Sequence, residues 1–384
     1  MSGLRIVVAG LAGSFSMAGT SLHWLQYPLG LLALGHDVLY LEHTGAWYYD
    51  PKTATIVDDV SLPLQHLRDI TGRHGLDGRW TFIDHRGVEF GVTGAALRDF
   101  LHTADLLINV TGAMKLREQY MVIPRRAYLD TDPGFIQLRV SKGSQKDIEH
   151  LRRHTVHFTF GRNIGASGCP VPTGGFAWHG TVQPVYLPFW PRVAASPRGS
   201  PFTTIVKWDA SGHVLECDGE VYGAKDLEFP KFVRLPELTG EAFELAMAGE
   251  SPVDGLESRG WRCRSGAEVS ATWEGYRAYI QESRGEWSIA KNGYVKTKAG
   301  WFSDRSATYL ATGRPVVVQS TGFERWLPSG IGVVPFSTLD EAVDAIRAVQ
   351  GDYEKHCRAA REIAEATFDS SKVLGELVEA AMTA

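Results

Sequence analysis

Four groups of side chains in this chain are of types and spacings that can do chemistry. The densest lies late. Lys291, Lys296, Lys298 and Arg305 surround Ser303 and Asp304, which stand directly before a patterned run. Serine and aspartate are good first-turn caps, and Ala307, Leu310 and Ala311 recur at helical spacing before Gly313 closes the helix. The first N–H groups of a helix lack partners inside it, so such a start ringed by cations suits an anion. The alternative is an ordinary strand–helix unit with a solvated basic loop.

The second group is Asp130-Thr131-Asp132, at the end of the apolar strand Arg126 to Leu129. Two carboxylates so spaced can hold a divalent cation. With Pro133 and Gly134 they also make a simple turn. Asp132 is expected as a cleft-facing carboxylate, a base or the partner that orients one. The third is His23 in the first helix. Histidine titrates near neutral pH and can take a proton while a carboxylate elsewhere orients it. A capping or half-buried histidine is the other reading. The fourth is Gly10, Gly13 and Gly19 followed by Glu42 at a strand end, which suggests a dinucleotide site. Ala12 breaks that glycine spacing, and a tight turn accounts for the loop.

These residues need a frame. Leu4 to Ala9, a helix from Ser21 to Leu34, and Val38 to Leu41 form a strand–helix–strand unit that implies a parallel sheet. Further strands are expected at Trp80–Ile83, Val88–Gly91, Asp105–Val110 and His154–Phe160, with helices at Leu62–Thr71 and Leu97–His102. A Gly/Pro-rich loop from Gly161 to Gly180 carries Trp178, and loops of that length are commonly functional. Ala194 to Pro201 (AASPRGSP) is the clearest boundary. After it, Phe202 to Trp208 opens a second unit, with Lys207 at the strand end. A helix is expected at Thr239–Met247, a strand from Trp261, a helix at Trp273–Ser283 and a strand at Glu286–Lys291. Val316-Val317-Val318 reads as a strand buried on both faces. Helices at Thr338–Gln350, Asp352–Ala366 and Ser370–Met382 end the chain.

Composition sets the limits. The 384 residues suffice for two domains, and 44% hydrophobic with 22% charged residues is globular. Net charge is 39 − 44 = −5, so no basic field points to nucleic acid. Four scattered cysteines without a C-x-x-C fit a reducing compartment and argue against structural zinc. No signal-peptide pattern or membrane-length apolar run is present, which fits a cytoplasmic protein.

The order Gly300-Trp301, Ser303, Gly313-Arg314-Pro315, a valine strand and Gly330-Ile331-Gly332-Val333-Val334 resembles the nucleotide-sugar end of GT-B glycosyltransferases. Leu34-Gly35-His36-Asp37-Val38 is similar to the helix–strand joint of their N-terminal domain. The bacterial retaining group keeps two glutamates before the G-x-P, where this chain has Thr308 and Gly300. Plant-type members place Gly-Trp two residues closer.

The resemblance implies an α/β fold of two Rossmann-like domains facing across a cleft. Residues 1–195 would form the acceptor-side domain and 201–368 the nucleotide-sugar domain, with 369–384 a helix crossing back to the first. It implies transfer of a sugar from a nucleoside-diphosphate sugar to an acceptor hydroxyl or other nucleophile. That acceptor would be a small natural product or a glycan. No cofactor or metal is expected, and the lost glutamates point to inversion of the anomeric centre. The donor would meet Lys207, Lys291, Gly300, Trp301, Ser303, Asp304, Arg305, Ser306, Gln319, Thr321, Gly322 and Glu324. Gly13, Trp24 and Trp178 would face the acceptor, and His23 or Asp132 would take its proton. The Asp-x-Asp string also resembles the metal motif of the other large glycosyltransferase fold, GT-A. A nucleotide-sugar epimerase or a non-catalytic binding protein of the GT-B fold, and a nicotinamide-dependent enzyme, are the other readings.

Overall fold

The computed structural model describes residues 3–208, 214–217, 219–249 and 251–384. Its first sheet has eight strands. From one edge they run Trp178–Gly180, Val156–Thr159, Arg125–Asp130, Leu106–Val110, Arg5–Ala9, Asp37–Glu42, Trp80–Ile83 and Glu89–Gly91. All pairings are parallel except that of Glu89–Gly91 on Trp80–Ile83. The alternating geometry of a strand is visible in its core: Ile6 and Val8 join one apolar cluster, Val7 and Ala9 another on the opposite face.

A second sheet of six strands runs Trp261–Ser265, Phe243–Ala248, Phe202–Lys207, Gly285–Ser288, Val316–Gln319 and Val333–Phe336, all parallel. The helix expected at Thr239–Met247 is not there. A short helix, Leu235–Thr239, stops at Gly240 with φ +69°, and Phe243–Ala248 is a strand beside Phe202–Lys207. Phe243 and Leu245 pack into the large cluster of this domain and Ala246 packs on the other face, an alternation that a helix would not keep. The stretch between Gly285–Ser288 and the site helix also holds a short helix, Asn292–Thr297, where a continuous loop was expected.

Both chains of strands start in the middle of their sheet and wind first one way, then the other. The switch points are Arg5–Ala9 beside Leu106–Val110, and Phe202–Lys207 beside Gly285–Ser288. In open α/β sheets the crevice beyond the carboxyl ends of such strands is where ligands bind. The last helix, Ser370–Thr383, puts Leu374, Leu377, Val378 and Ala381 into the core of the first domain. Gly30 in the helix Ala18–Ala33 permits that contact. A Cβ there would stand 2.5 Å from a Leu374 methyl.

Candidate functional site

The carboxyl ends of the two sheets enclose a cleft of about 660 Å³. From the first domain it takes the start of the helix Ala18–Ala33 and the residues just past three strands: Thr111, Asp130 to Asp132, and Phe160. From the second it takes Ile205, Lys225, Tyr276, Lys291, Tyr294, Trp301 and the start of the helix Asp304–Ala311.

His23 and Asp304 meet across it. Nδ1 of His23 lies 3.4 Å from Oδ2 of Asp304, within ion-pair range, while neither ring nitrogen makes a well-formed hydrogen bond. The imidazole is nearly enclosed, edge-on to Trp24 and Tyr27 at 5.1 and 6.1 Å, and among the described residues Nε2 has no hydrogen-bond partner. Burial works against the charge of Asp304, but His23 and Arg305 outweigh it and bring the carboxyl down to about 2. Asp304, expected on the donor, lines the cleft, and its carboxylate faces the histidine of the opposite domain.

Asp132 also bridges the domains, with both carboxylate oxygens 2.8 Å from Nζ of Lys291. Behind it, Asp130 accepts from Gln137 at 2.7 Å, Thr159 at 2.8 Å and the Asp132 N–H at 3.1 Å. Burial raises the Asp130 carboxyl to about 6 despite these bonds. The Asp-x-Asp pair is thus turned toward protein partners. Among the described residues no group of three or more His, Cys, Asp or Glu side chains is placed to hold a metal ion.

Arg305 lines the cleft but its guanidinium is occupied. It donates to Glu286 at 2.7 Å, to the Ser288 hydroxyl at 2.7 Å and to the Ile205 carbonyl at 2.6 Å. Glu286 is wholly buried, and this pair ties the site helix to two strands of the sheet. Lys296 is likewise paired with Glu220 at 2.7 Å, and Lys298 donates to the Ser320 carbonyl at 3.0 Å. The cation that stands open to the cleft was not singled out from the sequence: Lys225, which has no hydrogen-bond or ion-pair partner among the described residues. Burial first, then the positive Arg305 and Lys291, bring its ammonium down to about 7. Its local signal was Gly223-Ala224-Lys225, a glycine-led basic loop whose Gly223 and Ala224 carbonyls accept from Gly293 and Asn292, just past Lys291.

The remaining expected residues divide. Trp301 lines the cleft, stacks on Tyr294 at 4.3 Å and donates to the Thr131 carbonyl at 3.2 Å. Ser303 also lines it, while Ser306, Gln319 and Thr321 surround a small adjoining pocket. Gln319 is committed to the Ala290 N–H at 3.1 Å and to buried Glu228 at 2.7 Å. Gly300 and Gly322 line neither space. Their left-handed turns, φ +81° and +87°, let Asn163 of the first domain donate to the Lys298 and Gly322 carbonyls, both at 2.9 Å. A Cβ on Gly300 would stand 2.7 Å from Asn163. One carboxylate oxygen of Glu324 is buried without a hydrogen-bond partner among the described residues, outside both spaces.

Lys207 is exposed at its strand end and does not line the cleft. Trp24 lines it; Trp178 does not, and donates instead to the Thr173 carbonyl at 2.9 Å on the sheet edge. Gly13, in the first loop, does not line the cleft, and its N–H donates to Glu42 at 2.5 Å. Ser14 and Tyr40 complete the set of donors around Glu42, so that acid holds the glycine loop in place and is closed to a ribose.

No protein-family model and no curated protein matches the sequence. Solved structures do match in shape. The Anabaena protein HepE in complex with UDP and glucose aligns over 98% of this chain and 99% of its own, at 11% identity and a TM-score of 0.60. Sucrose-phosphate synthase from Thermosynechococcus elongatus aligns over 98% and 99%, at 10% identity and 0.53. An alpha-glucosyltransferase in complex with UDP and a 13-mer DNA aligns over 99% and 100%, at 11% and 0.53. Two parallel α/β sheets whose carboxyl ends face one another over a shared cleft, matched end to end by these structures, give this chain the GT-B fold.

Proposed function

We propose that the protein transfers a sugar from a nucleoside-diphosphate sugar to an acceptor hydroxyl, without a metal and with inversion. The observation that carries the reading is Lys225: an ammonium open to the cleft, beside Lys291 and the start of the helix Asp304–Ala311. A diphosphate gains one unit of negative charge as its bond to the sugar breaks, and fixed cations in a site of low dielectric stabilise that charge. The GT-B structures that this chain matches include HepE with UDP-glucose bound.

His23 is the proposed base. Its Nε2 is unpartnered and its other ring nitrogen faces Asp304, which would stabilise the imidazolium once the acceptor proton is taken. Asp132 holds Lys291 in place until a diphosphate competes for that ammonium. Arg305, bound to Glu286, shapes the site helix and does not itself grip the donor in this reading. Metal independence is supported by the commitment of Asp130 to Gln137 and Thr159 and of Asp132 to Lys291.

Thermal unfolding with a panel of nucleoside diphosphates, with and without magnesium, tests this on the wild type and Lys225→Met. A ligand at a hundred times its Kd stabilises by about 2.7 kcal/mol. Stabilisation by a diphosphate without magnesium, largely lost in Lys225→Met, is the expected result. Absence of stabilisation by every nucleotide overturns the reading.

A further inference from the structure

Lys225 and Lys291 line one cleft from two separate loops, and their like charges oppose that arrangement. Burial first, then Arg305 and Lys291, disfavour the charge on Lys225. The two loops must therefore be fixed to each other. Their backbones are joined where the N–H groups of Asn292 and Gly293 donate to the Ala224 and Gly223 carbonyls, each at 3.1 Å. The side chain of Asn292 adds a third bond, its Oδ1 accepting from the Gly223 N–H at 3.3 Å.

A buried carboxylate ties this seam together from outside the cleft. Glu228 is 1% exposed, and side chains from three segments converge on it. One oxygen accepts from Nδ2 of Asn292 at 2.7 Å and from Nζ of Lys231 at 2.8 Å; the other accepts from Nε2 of Gln319 at 2.7 Å. Gln319 ends the strand Val316–Gln319 and in turn accepts from the Ala290 N–H at 3.1 Å, one residue before Lys291. The Glu228 N–H donates to the Lys225 carbonyl at 3.0 Å, closing the turn that carries that lysine. Burying a carboxylate is costly unless it is paired and hydrogen-bonded, so pulling any of these segments away from Glu228 carries a penalty. That penalty holds the lysines together against their repulsion.

We infer that Glu228 is a positioning residue for the diphosphate site: through Asn292 and Gln319 it sets the separation of Lys225 and Lys291 and touches neither substrate. What binds between the two cations rests on the transferase reading, while their placement by Glu228 does not. The network also defines an exchange. In Glu228→Gln the new amide turns its NH2 toward that of Asn292 or of Gln319, donor against donor. In Glu228→Gln/Gln319→Glu the amide at 228 donates to the carboxylate at 319, which still accepts from the Ala290 N–H, and the Asn292 donor keeps its acceptor.

Two measurements on the folded protein test the inference: calorimetric titration with inorganic pyrophosphate and nucleoside diphosphates, and the NMR signals of lysines carrying 13C-methyl groups, assigned with Lys225→Met and Lys291→Met. Glu228→Gln should weaken diphosphate binding roughly tenfold, the scale of one buried hydrogen bond lost, and displace both lysine signals. The exchange variant should restore both. In a Lys225→Met background Glu228→Gln should cost less affinity, because one of the cations it places is gone. Asn292→Ser, which releases one arm and leaves Glu228 two donors, should shift the same signals and keeps the link measurable if the exchange variant does not fold. Signals that move and return in a protein that binds no diphosphate would leave this inference standing and remove the transferase reading. Lower urea stability with unmoved lysine signals and unchanged affinity, or an exchange variant no nearer the wild type than Glu228→Gln, would overturn it.

Discussion

Nδ1 of His23, on the first helix of one domain, lies 3.4 Å from Oδ2 of Asp304, the first residue of the site helix of the other. The contact joins the two halves of the molecule at the point where donor and acceptor would meet. Asp304 stays ionised over any practical assay range, since its carboxyl titrates at about 2. An acid–base group of this kind contributes roughly 10²–10⁴-fold to a rate. His23→Gln is therefore expected to lower kcat by about that factor with diphosphate binding retained. Asp304→Asn should lower kcat less, and Asp304→Glu should restore part of the loss. Steady-state rates at saturating donor, beside nucleotide-induced stabilisation, are the measurement; an unchanged kcat in His23→Gln removes it as the base.

Lys225 makes a pH-dependent donor site. Its ammonium titrates at about 7 in the free protein, so it is mostly charged at pH 6 and mostly neutral at pH 8. A diphosphate prefers the charged form, and affinity should weaken by roughly tenfold over that interval. Lys225→Arg should flatten the dependence because a guanidinium keeps its proton. The stability sign runs opposite to that of a salt-bridged lysine: between about 7 and the ordinary lysine value the unfolded chain binds more protons, so the free protein gains stability as pH rises through that window. Titrations of a nucleoside diphosphate at several pH values check the binding claim. The same slope in Lys225→Met would assign it to another group.

Much of this was legible from the sequence where periodicity and punctuation agree. The helix Asp304–Ala311, the buried strand Val316–Gln319 and the first strand–helix–strand unit are all local statements, fixed by spacing, Gly313 and Pro315. Phe243–Ala248 was misread because so short an apolar run between Gly240 and Gly249 suits a helix or a strand, and pairing with Phe202–Lys207 decided it. At the site, residue type was readable but partnership was not. Arg305 looked like a phosphate ligand, yet Glu286 arrives from a neighbouring strand to claim it. Asp304 looked like a helix cap, yet it faces a histidine from the other domain. Lys225 is marked in the sequence only by the glycine before it, because what makes it available is that no hydrogen-bond or ion-pair partner meets it among the described residues.

Acid should destabilise the protein before its carboxylates are lost. Burial lowers His43 and His66 to about 4 and His154 to about 3. A histidine neutral in the fold and charged when unfolded gives stability that is full above its ordinary value and is lost as pH falls toward these figures. His154 shows why: Nε2 accepts from Asn109 at 3.0 Å, an acceptor that protonation removes. Asp130 works in the opposite direction. Raised to about 6, it keeps a proton that the unfolded chain releases, so it adds stability as pH falls from about 6 toward the ordinary carboxylate value. Burial lowers His36, His74, His150, His157 and His356 in the same direction, while Glu42 is raised like Asp130, so the histidines prevail and Tm falls from pH 7 to pH 5, with a shallower slope in His66→Gln and a steeper one in Asp130→Asn. Melting curves across that range check both signs.

The Arg305–Glu286 pair predicts which lesion acts on the fold. Glu286 is wholly buried, one of its oxygens 2.7 Å from Nε of Arg305 and the other without a hydrogen-bond partner among the described residues. Burial opposes the charge of Arg305, but Glu286 outweighs it and holds the guanidinium protonated more firmly than usual. Breaking one side of a buried pair leaves the other charge uncompensated, at a cost of about 3–5 kcal/mol. Arg305→Ala and Glu286→Ala should each destabilise by that amount in urea unfolding. The double substitution should cost less than the sum, because neither charge is then stranded. Lys225→Met, which breaks no hydrogen bond or ion pair among the described residues, should leave urea stability nearly unchanged while removing diphosphate binding. If Arg305→Ala instead unfolds like the wild type and abolishes nucleotide binding, Arg305 is a donor ligand and its bond to Glu286 is an alternative to the diphosphate.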